Sequence, residues 1–99
     1  MNIHKISTAE KTIIDLAGRL DTTTAPQLQS ALIPEFDTSK EIELNFCDLA
    51  YVSSAGLRVL LMGEKTARAK GAKLVITNVS AEIMEVFEMT GFSEILTIV

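Results

Sequence analysis

The sequence predicts a single α/β domain, residues 1–99, with a mixed β-sheet and helices packed on it in the order β-β-α-β-α-β-α-β. Three observations carry that prediction. Ninety-nine residues supply one hydrophobic core and no material for a second. Short β-branched runs such as "TIIDLAG" and "AKLVITNV" alternate with segments whose apolar residues recur at helical spacing. The later strand–helix–strand units need crossovers that lay their strands parallel, whereas the first two runs are close enough to form a hairpin.

Each element has its own signal. Ile3 and Ile6 mark a first short strand, "STAEK" turns the chain, and "TIIDLAG" returns as the second strand. A helix then starts near Ala25, where Thr24 and Gln27 are spaced as a capping box and Pro26 falls in the first turn, where its missing N–H does least harm. Ala25, Leu28, Ala31 and Leu32 form its inward stripe, and Pro34 limits it. In "EIELNF", Ile42, Leu44 and Phe46 alternate with Glu41, Glu43 and Asn45, the period of a strand, which runs on into "CDLAYV". Leu57, Leu60 and Leu61 then open the longest helix, with Arg58, Lys65 and Arg68 on a more polar side and Lys70 and Gly71 as its stop. "AKLVITNV" is a further strand; Ser80 caps a third helix whose Ile83, Val86 and Phe87 face inward before Gly91 ends it, and "SEILTIV" closes as a strand.

Composition excludes several kinds of function. Nine basic against thirteen acidic side chains leave a net charge of −4, which opposes attraction to phosphate backbones, so no nucleic-acid partner is expected. No run approaches the roughly 20 apolar residues that span a bilayer, and "MNIHKISTAEK" lacks the pattern of a secretory leader, so a cytoplasmic protein without a membrane partner is expected. Cys47 and His4 are the only cysteine and histidine, which rules out an internal disulfide and a Cys/His zinc cage. Cys47 is expected in the core, and His4 as a solvated or hydrogen-bonded side chain. Neither metal nor cofactor is expected.

Candidate site residues cluster where strands hand over to helices, because backbone N–H groups are free there. "GRLDTTT" brings Asp21, Thr22 and Thr23 to one such point, and "CDLAYVSSAG" brings Ser53 and Ser54 to the other. If both lie at the same end of the sheet, these residues line one surface. Ser54 has no histidine base nearby in sequence and no G-x-S-x-G setting, and Asp21 and Asp48 read as turn-capping carboxylates, so neither hydrolysis nor acid–base catalysis is expected. A serine at a helix entrance is ordinarily an N-cap. The same place also tolerates an added phosphate, because the first N–H groups and the helix dipole favour an anion.

The runs "LNFCDLAYVSSAGLRVLL", "LAGRLDTTTAPQL" and "VFEMTGFSEILTI" resemble STAS domains, and among them the bacterial anti-sigma factor antagonists, over essentially the whole chain. That resemblance implies a phosphorylation-controlled partner switch without catalytic activity of its own. The unmodified antagonist binds an anti-sigma factor that is also a serine kinase with an ATP-binding fold, and so releases a sigma factor. Phosphorylation ends the binding, and a metal-dependent serine phosphatase restores it. Carried onto this chain, the acceptor is Ser54, followed by Ala55 in place of a second hydroxyl residue and by Gly56. Ser53 stands where many antagonists carry aspartate and is a second candidate acceptor. Asp21 matches the family's aspartate after the second strand, with a turn cap as its alternative reading. The partner surface implied comprises Asp21, Thr22, Thr23, Ser53, Ser54, Ala55, Gly56 and Arg58. Met84 and Met89 are read as core filling, with an adaptable contact on the third helix as the alternative. The competing function is a constitutive interaction or scaffold module in which Ser54 only caps its helix.

Overall fold

The computed structural model describes residues Met1–Val99. Strand β1 (Asn2–Ser7) lies antiparallel to β2 (Thr12–Leu20); β3 (Glu41–Val52), β4 (Lys73–Thr77) and β5 (Thr97–Ile98) then follow in sheet order, each parallel to the strand before it. Helix α1 (Ala25–Leu32) continues through a 3₁₀ turn, Ile33–Asp37, before β3; α2 (Ser54–Ala69) joins β3 to β4, and α3 (Ala81–Thr90) follows β4. The expected element order and mixed sheet are therefore present, with Pro34 turning the end of α1 into the tighter helix.

All three helices bury their apolar stripes in a single cluster with one face of the sheet. Ile14, Leu16, Ile42, Leu44, Phe46, Leu74 and Ile76 from the strands meet Leu28, Leu32, Leu60, Ile83 and Phe87 from the helices. The rings of Phe46 and Phe87 sit 6.3 Å apart at 44°, within the range in which aromatic pairs attract beyond simple burial. Two glycines let α2 approach closely. A Cβ on Gly63 would stand 2.8 Å from Leu32 Cδ2, and one on Gly56 would stand 2.6 Å from Leu20 Cγ. Helix α3 is capped as expected: Ser80 Oγ accepts from the Ile83 amide at 3.2 Å, and Gly91 takes the left-handed conformation, φ 81°.

Parallel strands are normally covered on both faces. Here the second face is laced by side-chain hydrogen bonds across strands. Asn45 Nδ2 donates to Asp15 Oδ1 at 2.9 Å, Asn78 Nδ2 donates to Asn45 Oδ1 at 2.8 Å, and Thr77 Oγ1 donates to Glu43 Oε2 at 3.0 Å. Lys11 Nζ closes on Glu43 Oε1 at 2.8 Å, the main reason the Glu43 carboxyl is held below its usual range.

Four sequence expectations are corrected. Cys47 is exposed rather than in the core. The β2–β3 register slips between Asp15↔Asn45 and Ala17↔Asp48 and again between Gly18↔Leu49 and Arg19↔Tyr51, each time inserting one residue into β3. Cys47 follows the strand's alternation outward, with Glu43 and Asn45, while from Phe46 onward the buried residues, Leu49 and Val52, fall three apart. The capping box at α1 does not form: Thr24 makes no side-chain cap, and Gln27 Nε2 donates to the Met1 carbonyl at 3.1 Å. "SEILTIV" is a strand only at Thr97–Ile98, since Phe92–Glu94 form a 3₁₀ turn. Of the two methionines read as core filling, Met84 packs against the core, whereas Met89 is 79 % exposed.

Candidate functional site

The ends of β2 and β3 lie side by side, with Leu20 opposite Val52 and the Ser53 amide donating to the Leu20 carbonyl at 2.8 Å. Both strand-to-helix junctions therefore sit at one end of the sheet. Ser53 is the N-cap of α2: its backbone is extended, φ −92° and ψ 174°, and its Oγ accepts from the Gly56 amide at 3.3 Å. The cap reading of Ser54 is thereby corrected by one residue. Ser54 is the first helical residue and is exposed, while Ser53 is half-buried and its hydroxyl already engaged. The amides of Ser54 and Ala55 find no acceptor in the chain, leaving two donors and the positive end of the helix dipole beside the Ser54 hydroxyl.

Removing the Ser53 cap should cost about 1 kcal/mol. Urea denaturation of Ser53→Ala is the measurement, and a midpoint unchanged from wild type would show that the 3.3 Å contact contributes nothing.

The second junction is closed by Asp21. Its Oδ1 accepts from the Thr23 amide at 3.0 Å and the Thr24 amide at 3.1 Å, a turn in which the side chain replaces a backbone acceptor. Thr24 Oγ1 accepts from the Asp21 amide at 2.9 Å and donates to the Arg19 carbonyl at 2.8 Å. The hydrogen bond from the Thr24 amide, reinforced by Thr23, the Thr24 hydroxyl and nearby Arg19, holds the Asp21 carboxyl below its usual value. A depressed carboxyl favours the folded state fully above the ordinary aspartate range, and that contribution disappears as the pH falls through the lowered value. Asp21→Asn is accordingly expected to flatten the acid limb of a stability–pH curve; a wild-type acid limb in the variant would contradict this.

An open cleft of about 250 Å³ separates the starts of α1 and α2, lined by Thr22, Ala25, Pro26, Ala55, Arg58 and Met62 among others. A second hollow of about 240 Å³, formed by Arg58, Leu61, Met62 and Lys65, shares Arg58 and Met62 with it. Of the residues expected to form one surface, Thr22, Ala55 and Arg58 share the cleft. Asp21 and Thr23 stand beside it in the turn, and Gly56 lies beneath, buried against Leu20. Arg58 is exposed, has no carboxylate partner, and stands four residues after Ser54, on the same side of the helix.

Sequence spacing missed Met62 and the Arg19–Tyr51 pair at this end. The Arg19 guanidinium lies 4.2 Å from the centre of the exposed Tyr51 ring, an attraction between cation and ring face. The two residues meet only because the second bulge sets them opposite each other.

The family model described as "Mlab, STAS domain" matches residues 3–98. The chain is 28 % identical over 85 residues to the anti-sigma-B factor antagonist of Bacillus subtilis, covering 86 % of this chain and 78 % of that protein. It is 30 % identical over 86 residues to the anti-sigma-B factor antagonist of Listeria monocytogenes, covering 86 % and 75 %. Among solved structures, the Bacillus cell fate determinant and anti-sigma factor antagonist SpoIIAA superposes with a TM-score of 0.77 in both its unphosphorylated and phosphorylated forms. Identities are 20 and 21 %, covering 99 % of this chain and 87 and 91 % of those chains.

Proposed function

This chain belongs to the STAS domain family, and we propose that within it the protein is an anti-sigma factor antagonist whose hold on its partner is ended by phosphorylation at Ser54. The partner is an anti-sigma factor that is also a serine kinase with an ATP-binding fold, and a metal-dependent serine phosphatase reverses the modification. The chain acts in the cytoplasm as binding partner and phosphate acceptor, not as a catalyst. One observation carries the reading: Ser54 is exposed at the first position of α2, while the neighbouring Ser53 does the capping. A hydroxyl free of structural duty can be modified without dismantling the helix entrance.

The chemistry of the switch follows from that position. A phosphate brings nearly two negative charges and three acceptor oxygens. On Ser54 it meets the free amides of α2, whose dipole favours an anion by about 0.3–1 kcal/mol, and Arg58 one turn on. The fold therefore keeps its stability. A partner seated over the start of α2 meets a dianion where a hydroxyl had been, and finds Arg58 engaged by the phosphate; both changes lower affinity.

The test is intact mass and site mapping after incubation with the cognate kinase, ATP and Mg²⁺, paired with size-exclusion chromatography of the mixture. One phosphate on Ser54, with loss of the kinase complex, is the expected result. Phosphate on Ser53 instead would overturn the assignment. Tight binding with an unchanged mass would identify a constitutive interaction module.

A further inference from the structure

We infer that the free edge of β1 is a docking surface for a second copy of this chain, the two β1 strands pairing antiparallel about a two-fold axis at Lys5 and joining two five-stranded sheets into one. The inference does not depend on the phosphorylation reading, since Ser54 follows β3, which is separated from this edge by β2. An open sheet ends in two edges, each a row of unpaired N–H and C=O groups. At one of them β5 presents only two residues, Thr97–Ile98. At the other β1 presents six, Asn2–Ser7, all but Ile3 exposed.

The devices that ordinarily blunt such an edge are missing from β1. It contains no proline, and its register with β2 runs from Asn2↔Ala17 to Ser7↔Thr12 without a bulge. Its ionisable side chains are matched within the chain: Lys5 Nζ lies 2.9 Å from Glu35 Oε2, and His4 Nδ1 lies 3.5 Å from Asp15 Oδ2. Nor is the strand covered. His4 and Ile6 are exposed on one face of the sheet and Lys5 and Ser7 on the other, so β1 projects beyond the helix layer and two copies can meet edge to edge.

The hydrogen-bonding phase of the strand selects the register. The Thr8 amide donates to the Lys11 carbonyl at 2.8 Å, and bonded and non-bonded pairs alternate along an antiparallel ladder. Asn2, His4 and Ile6 therefore turn their backbone groups to β2, whereas Ile3, Lys5 and Ser7 turn theirs to the open edge. An axis at Lys5 uses all three, pairing Ile3 with Ser7 of the second copy and Lys5 with its own counterpart, for about six backbone hydrogen bonds. An axis at His4 leaves Ser7 without a strand partner. With Lys5 on the axis, Ile6, which is 45 % exposed, lies opposite His4 of the second copy, an aromatic and β-branched pair of the kind that stabilises sheets. The two lysines arrive with their glutamates, so the axis joins two ion pairs and not two bare cations. A second copy is the occupant these features fit, because the same three residues supply donors and acceptors on both sides, as a two-fold contact requires.

The experiment is sedimentation equilibrium of the full chain from about 10 μM to about 2 mM, with amide hydrogen exchange followed at both ends of that range. A single strand pair is a small contact, below roughly 1,200 Å², so a monomer–dimer equilibrium with a dissociation constant of about 0.1–1 mM is expected. Exchange at Ile3, Lys5 and Ser7 should slow about twofold or more at the higher concentration, while Asn2, His4 and Ile6, already bonded within one copy, stay as they are. Lys5→Pro removes a donor aimed only at the second copy, a change that edge strands tolerate, and should weaken dimerisation at least about tenfold. Lys5→Met keeps that donor and should dimerise within about threefold of wild type. A chain that stays monomeric at about 2 mM overturns the inference. So does a dimer whose added protection falls outside Ile3, Lys5 and Ser7, a readout that stands on the wild-type chain alone if Lys5→Pro does not fold. An unchanged dissociation constant in folded Lys5→Pro, or loss of the dimer in Lys5→Met, overturns the backbone pairing.

Discussion

Ser54→Asp is expected to bind the partner kinase about 100-fold more weakly than wild type, roughly 3 kcal/mol, while unfolding within a few degrees of it. The two halves of this expectation have separate causes. Aspartate at the first helical position faces the unclaimed amides of Ser54 and Ala55 and the positive end of the dipole, so the helix loses nothing by the exchange. At the interface the same carboxylate must be stripped of water, or meet whatever charge the kinase presents, and an unmatched charge there costs about 2–5 kcal/mol. Calorimetric titration for affinity and scanning calorimetry for the midpoint measure both. Ser54→Ala supplies the contrast, binding as wild type and resisting inactivation by kinase and ATP. Equal affinities for the aspartate and alanine variants would end the switch reading.

Gly56→Val should destabilise the domain by about 3 kcal/mol and lower the thermal midpoint by more than roughly 10 °C. Gly56 is the third residue of α2, where its amide completes the Ser53 cap. Any Cβ there lands 2.6 Å from Leu20 Cγ, 2.9 Å from Leu20 Cδ2 and 3.2 Å from the Leu20 carbonyl oxygen. Leu20 is wholly buried, and its carbonyl is held by the Ser53 amide, so neither obstacle can step aside. The start of α2 must lift instead. Partner binding should fall with stability, because the displaced turn carries Ser54. A midpoint within a few degrees of wild type would show that this contact is soft.

Much of this architecture is legible in the chain because apolar spacing reports burial directly. The alternation of Ile42, Leu44 and Phe46 ends where the first bulge begins, and from there period two no longer predicts which way a residue points. Cys47 is a separate case: the alternation itself puts residue 47 outward beside Glu43 and Asn45, and only its type, a small apolar group, argues for the core. The site suffers from a different limit. In "SSAG" either serine can cap, and the choice depends on a single backbone angle: the ψ of 174° at Ser53 aims its hydroxyl back at the Gly56 amide and leaves Ser54 free. Composition carries no trace of that angle. Nor does spacing reveal Arg19 over Tyr51, which depends on two register slips, or Met62, whose place in the cleft depends on how α1 lies against α2. The Asp21 turn, by contrast, depends only on neighbours two and three residues away, and its capping role was among the readings the local sequence allowed.

The strands stand in the sheet in the order in which they are translated. Every newly exported segment finds its docking edge on the strand made just before it, and none has to be threaded between two that have already zipped together. A chain leaving the ribosome can therefore grow its sheet outward from the first hairpin. It reaches the Ser54 turn only after the β2 edge that supports that turn is already in place.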